Sequence, residues 1–144
     1  MMMLFGALAA LAVQTAPPAD AAWTWTLYSG EGPVVLANEV PDTPHLRATL
    51  QCERGAGAAK LSLYGGGVAD GFATVSAGEA SATTEARSAR GGGLEAAIRI
   101  DHPVFAAFVQ TGALSVALGE QRRAVTIEPA HLAKLRRFAE LCGG

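Results

Sequence analysis

The sequence predicts a mainly β (α+β) domain: an antiparallel sandwich or small barrel, with one short crossover helix and a C-terminal helix stapled to the sheet by a disulfide. Three observations predict it. Apolar residues recur mostly at every second position, the signature of half-buried antiparallel strands. Glycine-rich turn clusters, drawing on 17 glycines, separate these runs at short intervals. The chain's two cysteines both fall on apolar faces, one in a strand and one in a terminal helix, so both point at one core.

In chain order, residues 1–21 read as a secretory signal. An apolar run covers Met1 to Val13, and Ala19-Asp20-Ala21 is a small-x-small cleavage site. The run is shorter than the roughly 20 apolar residues that span a bilayer. It lacks a basic n-region, and its alternative reading is a buried N-terminal helix. Residues 22–144 then form a single domain, long enough for a core of its own. The formal charge is −2; removing residues 1–21 removes one acid, Asp20, and no base, leaving −1. That balance gives no electrostatic footprint for nucleic acid. No second apolar span follows, so no stable membrane insertion is expected after signal cleavage, and the expected location is periplasmic or secreted.

Within the domain, Trp23, Trp25 and Leu27 alternate with threonines in the first strand. Leu46, Ala48, Leu50 and Cys52 share one face of a strand whose other face carries Arg47, Thr49 and Gln51. Leu61 with Leu63, then Leu94, Ala96, Ile98 and Ile100, then Leu114, Val116 and Leu118, then Val125 and Ile127 repeat the pattern. Weaker strands are expected over 34–38, 72–77 and 81–87. A short helix is expected after Asp101 or His102, either of which can cap it, with Pro103 in its first turn and Gly112 past its end. The last segment starts at Pro129 and reads as a helix over about 129–142. Leu132, Leu135, Phe138 and Cys142 lie close together on one of its faces. Two core-facing cysteines in an oxidising compartment pair, so a Cys52–Cys142 bridge is expected. It would close a loop of about 91 residues, worth roughly 4–5 kcal/mol on the chain-entropy model.

Candidate binding residues are few. Trp23, Trp25 and Tyr28 could form a stacking platform if exposed; at least one of the tryptophans is expected in the core, since aromatics make up only 6% of the chain. Arg87 and Arg90 sit on a loop, either simply solvated or in contact with an anionic partner. Asp42 with His45, and Asp101 with His102, are the candidate acid–base groups, and they serve catalysis only if the fold gathers them. The D-T-P at 42–44 resembles an aspartic-protease turn, with Pro44 in place of glycine, but also reads as an ordinary turn. Neither G-x-S-x-G nor metal-ligand spacing is present, so no catalytic residue, metal or cofactor is expected. The runs Gly65–Gly67 and Gly91–Gly93 lack the G-K-[ST] of a phosphate loop and read as hairpin tips.

The order W-x-W, then "ANEVPDTPHLRATLQC", "GALSVALG" and "FAELC" resembles small uncharacterised secreted β-domain proteins of proteobacteria. The resemblance implies an envelope protein of β fold with no known reaction. A fainter similarity runs to periplasmic lysozyme inhibitors and to type VI secretion accessory proteins. The expected function is therefore a non-enzymatic periplasmic or secreted binding or envelope accessory module, whose partner is an envelope protein or a glycan. The alternatives are an inhibitor of a cell-wall hydrolase and a small hydrolase.

Overall fold

The computed structural model describes residues 22–66, 70–89 and 93–143. The expected signal over residues 1–21, and Arg90, lie outside the described residues. Among the described residues there are nine strands: β1 (Thr24–Tyr28), β2 (Val34–Glu39), β3 (Leu46–Cys52), β4 (Ala58–Leu63), β5 (Gly71–Ala77), β6 (Ala80–Ala89), β7 (Gly93–Arg99), β8 (Ala113–Leu118) and β9 (Gln121–Thr126). They form a single antiparallel ladder in the order β1-β2-β3-β4-β7-β6-β5-β8-β9, curled into a half-barrel. The barrel-like form of the expected fold is therefore the one observed, with no division into two packed sheets.

The apolar face of this sheet is the core. Trp25, Leu36, Leu50, Leu61, Val75, Leu94 and Val116 are all buried on it. The sheet curls around two helices. Helix α1 (Pro103–Thr111) crosses from β7 to β8 and packs on β5 and β6; α2 (Leu132–Cys142) packs on β1 and β2. Val104, Phe105 and Phe108 of α1 meet Leu135, Phe138 and Cys142 of α2 in the same cluster. The Phe105 ring lies edge-on to Phe108 at 5.9 Å and 6.5 Å from Phe138, within the separation where aromatic pairs add to simple burial.

The helix ends follow the expected chemistry. His102 is the N-cap of α1, its Nδ1 accepting from the Val104 N–H at 3.0 Å, and Gly112 ends the helix in the left-handed region at φ 75°. A side chain on Gly112 would also strike the Ile127 carbonyl, 2.2 Å from an ideal Cβ, so only glycine fits. The C-terminal helix is shorter than the expected 129–142. Pro129–His131 is a 3-10 turn, closed by the His131 N–H onto the Glu128 carbonyl, and α2 proper starts at Leu132. Proline supplies no N–H and the His131 backbone, at φ −111° and ψ 0°, departs from ideal helical values, so the first turn tightens instead of joining the helix.

Cys52 and Cys142 are bonded, with Cα atoms 5.8 Å apart and a sequence separation of 90. The β3–β4 turn reinforces the staple. The N–H groups of Gly55 and Gly57 donate to the carbonyls of Leu141 and Cys142 at 3.1 and 2.8 Å, so two of the last helical carbonyls, which have no partner inside the helix, are satisfied by the sheet.

One glycine run differs from expectation. Gly65 and Gly66 do not turn a hairpin; they begin a connection from β4 to β5 that passes the ends of β7 and β6. The local residue chemistry of a hairpin tip and of a longer crossing is the same, and only the strand order separates them. Of the second run, Gly91 and Gly92 lie outside the described residues; β6 and β7 are paired out to Ala89–Gly93. An ideal Cβ on Gly93 would lie 2.2 Å from the Leu63 carbonyl, so the residue allows β4 and β7 to approach there.

Candidate functional site

The β2–β3, β4–β5 and β6–β7 connections lie at one end of the sheet, away from the disulfide. A cleft of about 440 Å³ opens there, at the seam between the edge strands β1 and β9. Strands in a curled sheet are tilted, so the later half of β9 comes to face the start of β1. Trp23, Trp25, Asn38, Arg47, Tyr64, Arg123 and Glu128 are among the residues that line the cleft.

Each side chain is placed by a local cause. Trp25 points into the core by strand alternation and is buried; its indole Nε1 donates to the Thr126 carbonyl at 3.2 Å. Trp23, one pleat earlier on the same face, is half-buried and lines the cleft. Asn38 sits opposite Trp25 in β2, and its Nδ2 donates to the Thr24 carbonyl at 3.2 Å.

Arg47 owes its position to a bulge. The β2–β3 register runs Asn38 with Ala48 and then Glu39 with Leu46, leaving Arg47 without a partner in β2. A bulge of this kind re-aims the extra side chain. The guanidinium carbon of Arg47 lies 3.9 Å above the Trp23 ring centroid, within cation–π range. Arg47 forms no ion pair with a carboxylate among the described residues.

Arg123 faces inward from β9 and donates to the carbonyls of Gly65 and Tyr64, both at 2.9 Å. It therefore anchors the start of the β4–β5 connection as a wall of the cleft. Tyr64 places its hydroxyl 3.3 Å from Thr49 Oγ1. Lys134 of α2 donates to the Trp25 carbonyl and lies 3.2 Å from His131 Nδ1, which caps a polar group of the β1 strand.

The expected site residues divide. Trp23 and Trp25 come together in the cleft, one half-exposed and one core. Tyr28 does not line it: its hydroxyl donates to the Glu39 carboxylate, and this hydrogen bond pushes the phenol pKa up. Arg87 lies not on a loop but within β6, opposite Glu95 of β7, where it is exposed and pairs with Glu85 at 3.5 Å. Asn38, Arg47, Tyr64 and Arg123 were not singled out from the sequence as site residues. Alternation assigned Arg47 to the polar face, and nothing local in "HLRATL" marks the bulge that moves it.

The acid–base candidates do not converge. Asp42 and His45 precede β3, whereas Asp101 and His102 follow β7. Because β3 and β7 both run antiparallel to β4, these pairs lie at opposite ends of the sheet. Asp101 is bound by Arg99 at 2.9 and 3.1 Å, which lowers its pKa, and His102 spends Nδ1 on its helix cap. The D-T-P segment is a turn held by Thr43, whose hydroxyl donates to the Val40 carbonyl at 2.7 Å. Among the described residues no three His, Cys, Asp or Glu side chains gather where they could hold a metal ion.

Compared with known proteins, the chain matches no family model, no curated protein and no solved structure.

Proposed function

We propose that the protein is an exported, non-enzymatic binding module of the cell envelope, periplasmic or secreted, whose ligand occupies the Trp23–Arg47 cleft. One observation carries this reading. Aromatic, amide and guanidinium groups from β2, β3, β9 and the start of β1 converge on one cleft, whereas the acid–base residues are dispersed. Ligand sites combine apolar walls with a few placed polar groups in this way, and bulges concentrate beside such sites.

Two further features support the setting. The Cys52–Cys142 bond is of the kind that persists in oxidising compartments. Among the described residues no helix is long and apolar enough to cross a membrane. The resemblance to secreted proteobacterial β-domain proteins points the same way.

The test is retention of envelope components on immobilised protein, comparing wild type with the Trp23→Ala/Arg47→Ala double variant. The reading expects a retained component that the double variant loses while keeping its circular dichroism spectrum. Equal retention by both proteins would place binding elsewhere. Export is tested separately, by the intact mass of the envelope-fraction protein: Ala22–Gly144 less two hydrogens is expected.

A further inference from the structure

From the chemistry of this cleft we infer that its ligand is an acidic saccharide, a pyranose-based glycan carrying a carboxylate. The inference rests on the reading of the cleft as the binding site. Three kinds of group meet there, and each asks for a different part of a ligand.

Arg47 lies over one face of the half-buried Trp23 indole, and the remaining apolar surface of the ring in the cleft lining suits the C–H face of a sugar ring. Arg47, aimed in by the bulge and without a carboxylate partner among the described residues, offers a planar fork of donors. A carboxylate matches that fork in two parallel hydrogen bonds. Asn38 uses its Nδ2 on the Thr24 carbonyl, so its Oδ1 is left as an acceptor, and Glu128, also in the cleft lining, brings a second acceptor. These acceptors need donors from the ligand, which hydroxyl groups supply.

A bare inorganic anion satisfies the arginine and leaves the indole and the acceptors unmatched. A neutral sugar satisfies the indole and the acceptors and leaves Arg47 unmatched. An acidic sugar satisfies all three. Another cleft, of about 450 Å³ around His102 and Arg99, offers no comparable set, because Arg99 is taken by Asp101 and His102 Nδ1 by the helix cap.

The chain contains two tryptophans, and both line this cleft, so intrinsic fluorescence reports on it directly. The experiment titrates the disulfide-intact protein with three probes: a tri-uronide, the neutral trisaccharide of the same linkage, and an acetylated tripeptide with one free carboxylate. The expected result is a saturable change with the uronide, at least ten-fold tighter than with either control, and weakened at least ten-fold in Arg47→Gln. Affinity for the uronide should also fall as salt is raised. Neutral sugar binding as tightly as the uronide, with Arg47→Gln without effect, overturns the acidic class and leaves the cleft as a glycan site. Peptide binding as tightly as the uronide overturns the saccharide. No response to any probe overturns the ligand assignment, while the envelope-retention comparison above decides the cleft itself independently.

Discussion

The indole of Trp25 on β1 donates to the carbonyl of Thr126 on β9, joining two residues 101 positions apart at opposite edges of one sheet. No strand pairing links β1 and β9, so the half-barrel is drawn together at this point by a side chain. The same contact caps an edge carbonyl, and Lys134 caps the Trp25 carbonyl from α2. Edge strands are thus occupied by side-chain donors, a recognised defence against edge-to-edge pairing.

Trp25→Phe removes the indole donor and some core volume. We expect a loss of about 1–3 kcal/mol, with amide exchange accelerating in β9 more than in β4 or β7. Hydrogen exchange resolved by strand checks this; uniform acceleration would mean that the seam has no separate stability.

Cys142→Ser should lower the thermal midpoint by about 10 °C or more, given about 2–4 kcal/mol for a disulfide closing a long loop. Reductant should do the same to the wild type and nothing further to the variant. Calorimetry with and without reductant decides it, and equal wild-type midpoints would remove the staple from the account.

Gly93→Val should destabilise by about 2 kcal/mol or more, because an ideal Cβ there already lies 2.2 Å from the Leu63 carbonyl. Gly65→Ala, with nothing within 4 Å of its Cβ but φ at +77°, should cost only about 1 kcal/mol of backbone strain. Chemical denaturation of both variants tests the order of the two effects.

Acid should loosen the loop-bearing end. Asp70 accepts from the backbone N–H and hydroxyl of Ser88 at 2.7 and 2.8 Å, and the backbone bond foremost holds its pKa below the ordinary 3.8. A depressed carboxylate stabilises the fold fully above its unfolded value and loses that contribution as pH falls through the lower folded value. Asp101, lowered by its hydrogen bond from Arg99, behaves alike. Thermal midpoints measured from about pH 5 down to about pH 2 should fall, and Asp70→Asn should flatten part of the fall. An unchanged profile in that variant would show that the bond to Ser88 contributes nothing.

Strands, helices and staple were legible in the sequence because each is specified locally. Leu94, Ala96, Ile98 and Ile100 alternate; His102, Pro103 and Gly112 punctuate a helix; Cys52 and Cys142 both fall on apolar faces. Strand order was not legible, because Gly65 and Gly66 read alike in a hairpin and in a crossing. The cleft was half legible. Trp23 and Trp25 stand out by residue type, but Arg47 reaches Trp23 only through a register shift between β2 and β3 that depends on how two strands pair, and Arg123 enters only because the sheet curls.

The most direct test of the central claim, that the Trp23–Arg47 cleft is the binding site, uses the two indole N–H resonances of the protein. They are followed by heteronuclear NMR while the soluble glycan fraction of the envelope is added to wild type and to Arg47→Gln. The account predicts that both indole signals shift saturably in the wild type and that the shifts shrink in the variant. Indole signals that stay fixed while other resonances move would locate the site elsewhere on the half-barrel and contradict it.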